Sequence, residues 1–162
     1  MTLYKHYVAT AYIYDKQTDS FLLIFHKKLG KWLPPGGHLD EGEEPGKGAL
    51  REVSEEIGVE GQIIDLLETP RVETRAIPQL SAPFCMLSET IPASPQEGEH
   101  IHIDFVYVVK IDLSQPLDIC QEEVSLARWF SSGEISWLET YENVKQVCQA
   151  ISSISQAKKR DC

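Results

Sequence analysis

Gly37–Val59 reads GHLDEGEEPGKGALREVSEEIGV, and the rest of the chain can be read outward from it. Pro45 suits the first turn of a helix, where a missing N–H costs nothing, and Gly58 suits a left-handed cap after the last turn. A helix over Pro45–Ile57 follows. At about 100° per residue, Ala49, Leu50, Val53 and Ile57 form one apolar stripe that must face a core. Glu52, Glu55 and Glu56 then crowd into about a third of the circumference. Like charges at these spacings destabilise an isolated helix by a few tenths of a kcal/mol per pair, so a cation is expected among them. Mg²⁺, a hard ion that takes carboxylate, water and phosphate oxygens, fits that demand. For an arbitrary acidic helix, a plain solvated face would be the default reading.

The flanking spacing moves the reading away from that default. Gly37 is followed after five residues by Glu43, and after seven more by Arg51-Glu52-Val53. One residue then precedes Glu55-Glu56, and one more precedes Gly58-Val59. This pattern resembles the Nudix box without gap or mismatch, and a chance match is on the order of 10⁻⁸ per window at average residue usage. The resemblance implies a hydrolase of phosphoanhydride bonds that uses Mg²⁺, with Mn²⁺ as an alternative. It implies Glu52, Glu55 and Glu56 as metal ligands, joined by a backbone carbonyl from the preceding loop, here assigned to Gly36. It also implies that Arg51 and Glu43 hold loop and helix together, and that one box glutamate, taken as Glu55, acts as base. The expected substrate is a nucleoside diphosphate linked to another group. The alternative is a Nudix-fold nucleotide-metabolite sensor without turnover, against which the intact glutamate set argues. A prenyl diphosphate isomerase would need a cysteine-centred site, and no cysteine lies near the box.

Substrate contacts are less constrained. Gly36-Gly37 follows Trp32-Leu33-Pro34-Pro35, a stiff strand end leading into a loop where glycine permits close ligand approach. His38 either meets phosphate or lies exposed on that loop, and Lys27 either steers phosphate or is solvated. His100, His102 and Asp104 alternate with Ile101 and Ile103, so the two histidines share a strand face with Asp104 while the isoleucines face a core. The candidate substrate-binding set is thus Lys27, His38, His100 and His102. A metal site of His100, His102 and Asp104 is conceivable, but three residues along one strand reach too far for easy tetrahedral closure. Glu97 and Glu99 read as a solvated loop, with an extra metal ligand or base as the other reading. Subgroup markers are sparse: positions 74 and 75 carry no proline of the kind often found in ADP-ribose hydrolases, and the tyrosine used by dinucleoside polyphosphate hydrolases is missing.

The 162 residues and 42% hydrophobic content fit one domain, 1–162, with a real core. A formal charge of −10 disfavours nucleic-acid partners, RNA caps included, because backbone binding needs lysine and arginine. No run approaches the roughly 18 apolar residues of a membrane span. Cys85, Cys120, Cys148 and Cys162 show no metal or disulfide spacing and no leader opens the chain, so a cytoplasmic setting is expected. The expected partner is the small-molecule nucleotide, and a homodimer stands beside a monomer as an open alternative.

Period-two patterning predicts strands at Tyr4–Tyr14, Ser20–His26, Gln62–Thr69, Pro83–Glu89, His100–Ile111 and Val124–Phe130. Trp137, Tyr141, Val144, Cys148 and Ile151 recur at spacings of four and three, predicting a closing helix from Ser136 with its aromatics in the core. Lys158-Lys159-Arg160 complements the end of that helix. This order suits an α/β fold with a mixed sheet between helices, and the Nudix resemblance makes it an α/β/α sandwich.

Overall fold

The computed structural model describes residues 3–72 and 76–160; positions 74 and 75 and Cys162 lie outside the described residues. Eleven elements follow one another among the described residues. They are β1 (Tyr4–Asp15), β2 (Ser20–His26), β3 (Lys31–Leu33), β4 (Gly36–His38), α1 (Pro45–Ile57), β5 (Gly61–Ile63), β6 (Cys85–Ile91), β7 (His100–Ile111), β8 (Val124–Ser131), α2 (Ser132–Ile135) and α3 (Glu142–Arg160). All eight strands join one sheet, with the central path β3-β2-β1-β7-β5. The β1–β7 pair is parallel, with Tyr4 opposite His100 and Ile13 opposite Val109, and the β1–β2 pair is antiparallel. The sheet is therefore mixed, as the order of elements predicts.

Each face of the sheet is covered by helix. Alternation along β1 sends Ala9, Ala11 and Ile13 to one side, where they pack with Ala49, Val53 and Ile57 of α1. Tyr12 and Tyr14 go to the other side, where they meet Val144, Val147, Cys148 and Ile151 of α3. The α1 helix has the predicted bounds, with Pro45 in its first turn and Gly58 at φ 70° closing it by a bond from its N–H to Ser54 O. The basic last turn of α3 is also as predicted.

The feature that places the site is a split along one edge of β1. Its far end pairs with β2 through Ile13–Asp15. Its near end pairs with β4 through Val8–Thr10, with Val8 opposite His38 and Thr10 opposite Gly36. Gly36–His38 is thus a short strand rather than the loop expected, and Ala11 N–H donating to Pro35 O at 2.8 Å anchors the crossing from one partner to the other.

Other departures have local causes. The strand predicted at Gln62–Thr69 stops at Ile63, because the Asp65 carboxylate accepts from Leu67 N and Thr69 N at 3.0 and 2.6 Å and folds the chain into a turn. The strand predicted at Pro83–Glu89 is shifted to Cys85–Ile91. The closing helix begins at Glu142 rather than Ser136, since Ser131 and Glu134 form a capping box that starts the separate turn α2. Thr140 Oγ1 then donates to Trp32 O at 2.5 Å, pulling the connection onto β3. Trp137 is 91% exposed and Tyr141 43%, so neither aromatic belongs to the core. Ile101 and Ile103 are half-buried and stand outside both core clusters, because the helix-covered part of β7 begins only at Phe105.

Candidate functional site

Glycine and arginine bring the box side chains together at the split. Gly36 N–H donates to Glu56 Oε2 at 3.0 Å, which sets β4 against the last turns of α1. A Cβ on Gly37 would stand 2.5 Å from Glu52 Oε1, so the Glu52 carboxylate lies directly over the bare Gly37 backbone. Arg51 fixes the surroundings. Its Nε and Nη2 donate to the two oxygens of Glu43, each at 2.9 Å, a bidentate fork. Nη2 also donates to His38 O at 3.0 Å, while Nη1 donates to Glu52 Oε1 and Glu55 Oε2, both at 2.9 Å. Glu43 in turn accepts from Asp40 N at 3.0 Å. One guanidinium thereby links β4, the connection after it and the glutamate face of α1. The bond to Glu43 is the main reason that the Arg51 pKa is raised and the Glu43 carboxyl is held low.

The glutamates differ in environment. Glu56 is 4% exposed, and burial pushes its carboxyl up to about 8, with Glu52, Glu123 and Glu55 adding repulsion against the Gly36 bond. Burial also raises Glu52, Glu55 and Glu123 adding to the rise and Arg51 opposing it. Glu55 is exposed, and Arg51 bonds one of its two oxygens. Carboxylates partly or wholly withdrawn from water and held together against their own repulsion are the donor set of a hard divalent cation. Glu52 and Glu56, with the chain at Gly36 beside them, fit such an ion.

Glu123 was not singled out from the sequence. The segment before β8 is drawn to the box by Cys120 N–H donating to Glu56 O at 2.9 Å and by Lys27 N–H donating to Glu123 O at 2.9 Å. Acids before a strand are too common to be a signal, and only the tertiary fold sets this one beside Glu52 and Glu56. Lys27 faces the same segment: its ammonium donates to Gln121 O, which makes it a tie between the chain just after β2 and the segment before β8.

The predicted histidines converge elsewhere. His38, His100 and His102 gather with His6 on the sheet side that carries Tyr12 and Val106, opposite α1. Burial, and then the neighbouring His38, His100 and His6, push His102 down to about 4; burial and His6 also lower His38. Asp104 does not join them. Its Oδ2 accepts from Thr10 Oγ1 at 2.9 Å, and burial raises its carboxyl to about 6.

Comparison with known proteins gives a consistent picture. The NUDIX domain family matches residues 4–148. Mouse diphosphoinositol polyphosphate phosphohydrolase 2 is 43% identical over 54 residues, which are 33% of this chain and 30% of that protein; the chain thus spans about a third of the length of the curated relatives it matches. A NUDIX family hydrolase from Clostridium perfringens superposes with a TM-score of 0.73 at 24% identity, covering 94% of this chain and 97% of that one. The Ap4A hydrolase of C. elegans, in a binary complex, superposes with a TM-score of 0.65 at 16% identity, covering 96% and 99%. At these identities the two structures speak to the fold.

Proposed function

The chain belongs to the Nudix family, and from that premise we propose that it is a Mg²⁺-dependent pyrophosphohydrolase acting on a nucleoside diphosphate linked to another group. The observation that carries this reading is the pair of half-buried Glu52 and buried Glu56, each repelled by Glu123 and held over the Gly36-Gly37 backbone. When bound, a divalent ion would neutralise charge on the phosphate oxygens as the anhydride is cleaved.

The residues divide the remaining work. Glu52 and Glu56, with the Gly36 carbonyl, hold the ion. Arg51 and Glu43 keep β4 and α1 in register, so the carboxylates do not drift apart under their own repulsion. Glu55, exposed and with one oxygen bonded, accepts the proton of the attacking water. Its partner Arg51 orients it through the bond from Nη1. Lys27 contributes by holding the segment that carries Glu123, rather than by meeting phosphate. Relatives named for diphosphoinositol polyphosphate and Ap4A are the reason to include those compounds in the test, although the net charge of −10 favours a less densely charged ligand.

The test is a phosphate-release screen over nucleoside triphosphates, nucleotide sugars, dinucleoside polyphosphates, diphosphoinositol polyphosphates and nucleotide coenzymes, with Mg²⁺ and with Mn²⁺. Turnover of a nucleotide-linked diphosphate is expected, abolished by chelator and cut by at least about 10²-fold in Glu56→Gln. Binding without turnover across the whole panel would instead identify a sensor.

A further inference from the structure

We propose that His6, His100 and His102 form a second metal site, of the nitrogen-donor class that takes Zn²⁺ and related transition ions, on the sheet face opposite the box helix. Two histidines two apart on one strand cannot enclose an ion by themselves. The parallel partner strand supplies the third, since His6 stands directly opposite His102 in the β1–β7 register. One ligand atom from each of the three lies within 4.8 Å of the others, and His100 Nε2 is 3.1 Å from His102 Nε2. Ligands of a tetrahedral zinc with bonds of about 2.0–2.1 Å stand about 3.3 Å apart, so small ring rotations close the set.

The proton arrangement on His100 supports ligation. Its Nδ1 lies 2.8 Å from Gly98 O, and a carbonyl only accepts, so Nδ1 carries the hydrogen and neutral His100 presents a bare Nε2 to its neighbours. A backbone carbonyl fixing the tautomer from behind is the usual support of a metal-bound histidine. His100 is 5% exposed, so this orientation is built into the fold.

A fourth donor is at hand. Glu97 places Oε1 3.3 Å from His6 Nε2 and Oε2 3.7 Å from His100 Nε2, so the acid read from the sequence as a solvated loop residue lies across the mouth of the cluster. His38 Nε2 is 3.2 Å from His6 Nδ1 and rims the site from β4. Imidazole nitrogens with one carboxylate suit Zn²⁺, Ni²⁺ or Cu²⁺, whereas Mg²⁺ demands oxygen; the two sites therefore select different ions. An ion here would pin the 92–99 segment to β1 and β7. Through His38, whose ring faces the cluster and whose carbonyl accepts from Arg51, it would also brace β4 beneath the box.

Calorimetric titration of the whole chain with Zn²⁺ in excess Mg²⁺ tests this, comparing wild type, His6→Gln, His102→Gln and Glu56→Gln. Wild type and Glu56→Gln are expected to bind one Zn²⁺ per chain, with affinity at least about 10-fold weaker in each folded histidine variant. Wild type loaded with Co²⁺ needs no variant and is expected to show the intense visible absorption of a four-coordinate, nitrogen-rich site. Absence of Zn²⁺ binding at tens of micromolar, equal affinity in the histidine variants, loss in Glu56→Gln alone, or a Co²⁺ spectrum of purely octahedral type would each overturn the proposal.

Discussion

Gly37 leaves no room for a side chain, and the atoms that close the space belong to Glu52, a carboxylate proposed to hold the ion. A Cβ there would meet Glu52 Oε1 at 2.5 Å and its carboxyl carbon at 2.8 Å. These atoms end a flexible side chain, so Gly37→Ala is expected to fold with little loss of stability while Glu52 swings away from Glu56. A displacement of about 1 Å at such a site can cost 10²-fold in rate. Steady-state turnover on the best substrate should therefore fall by about that factor, whereas Gly133→Ala, with nothing within 4 Å of the added carbon, should match wild type. The box was legible in the sequence because its chemistry demands fixed spacing along a single helix and the loop before it. His6 and Glu123 were not, because each reaches its cluster through strand pairing or a loop crossing that leaves no local pattern.

The β1–β2 hairpin is tied to the helical layer through Asp19, which adopts φ 52°, a conformation aspartate and asparagine tolerate better than most residues. Its carboxylate accepts from Tyr14 Oη at 2.8 Å, Ser132 Oγ at 2.6 Å and Ser152 Oγ at 2.9 Å, joining β1, α2 and α3. Burial acts to raise the Asp19 pKa, but the bonds from Ser132, Tyr14 and Ser152 outweigh it, and the folded value lies below the ordinary 3.8. A carboxyl with a depressed folded pKa binds fewer protons folded than unfolded, so its stabilisation is complete above about pH 4 and is lost as pH falls through the folded value. Asp19→Asn keeps the backbone preference and removes the charge. Thermal melts should show it less stable at pH 7 by about 1–2 kcal/mol and with a shallower decline below pH 4 than wild type; parallel acid limbs would mean the tie is not ionic. Elements whose ends are set by local chemistry, such as the helix between Pro45 and Gly58, were readable in advance. The start of α3 was not, because Trp137 and Tyr141 continue its spacing by coincidence while Thr140 bonds β3; the early end of β5 depends on side-chain bonds from Asp65 that periodicity does not register.

For the molecule as a whole, the balance of charge makes the box an internal opponent of folding, which a bound cation is expected to relieve. The chain carries a formal charge of −10, and the α1 face adds local repulsion with Glu56 buried at 4% exposure. Arg51 offsets part of this, since it bonds Glu43, Glu52 and Glu55, whereas Glu56 accepts from the Gly36 N–H. A divalent ion binding the folded state alone stabilises it by RT ln(1 + [L]/Kd), about 2.7 kcal/mol at a hundredfold excess over Kd. In a chain of 162 residues, about 2–4 °C of melting temperature accompanies each kcal/mol, so saturating Mg²⁺ should raise Tm by roughly 5–10 °C with no substrate present. Two controls give the shift its meaning. The double variant Glu52→Gln/Glu56→Gln should melt higher than wild type in chelator at neutral pH, because it removes carboxyls whose ionisation burial and neighbouring charge oppose, and should lose most of the Mg²⁺ response, because it removes the ligands. Equal Mg²⁺ shifts in wild type and double variant, read by calorimetry at constant ionic strength, would show that the ion acts by screening the surface at large and that the split between β2 and β4 does not bind it.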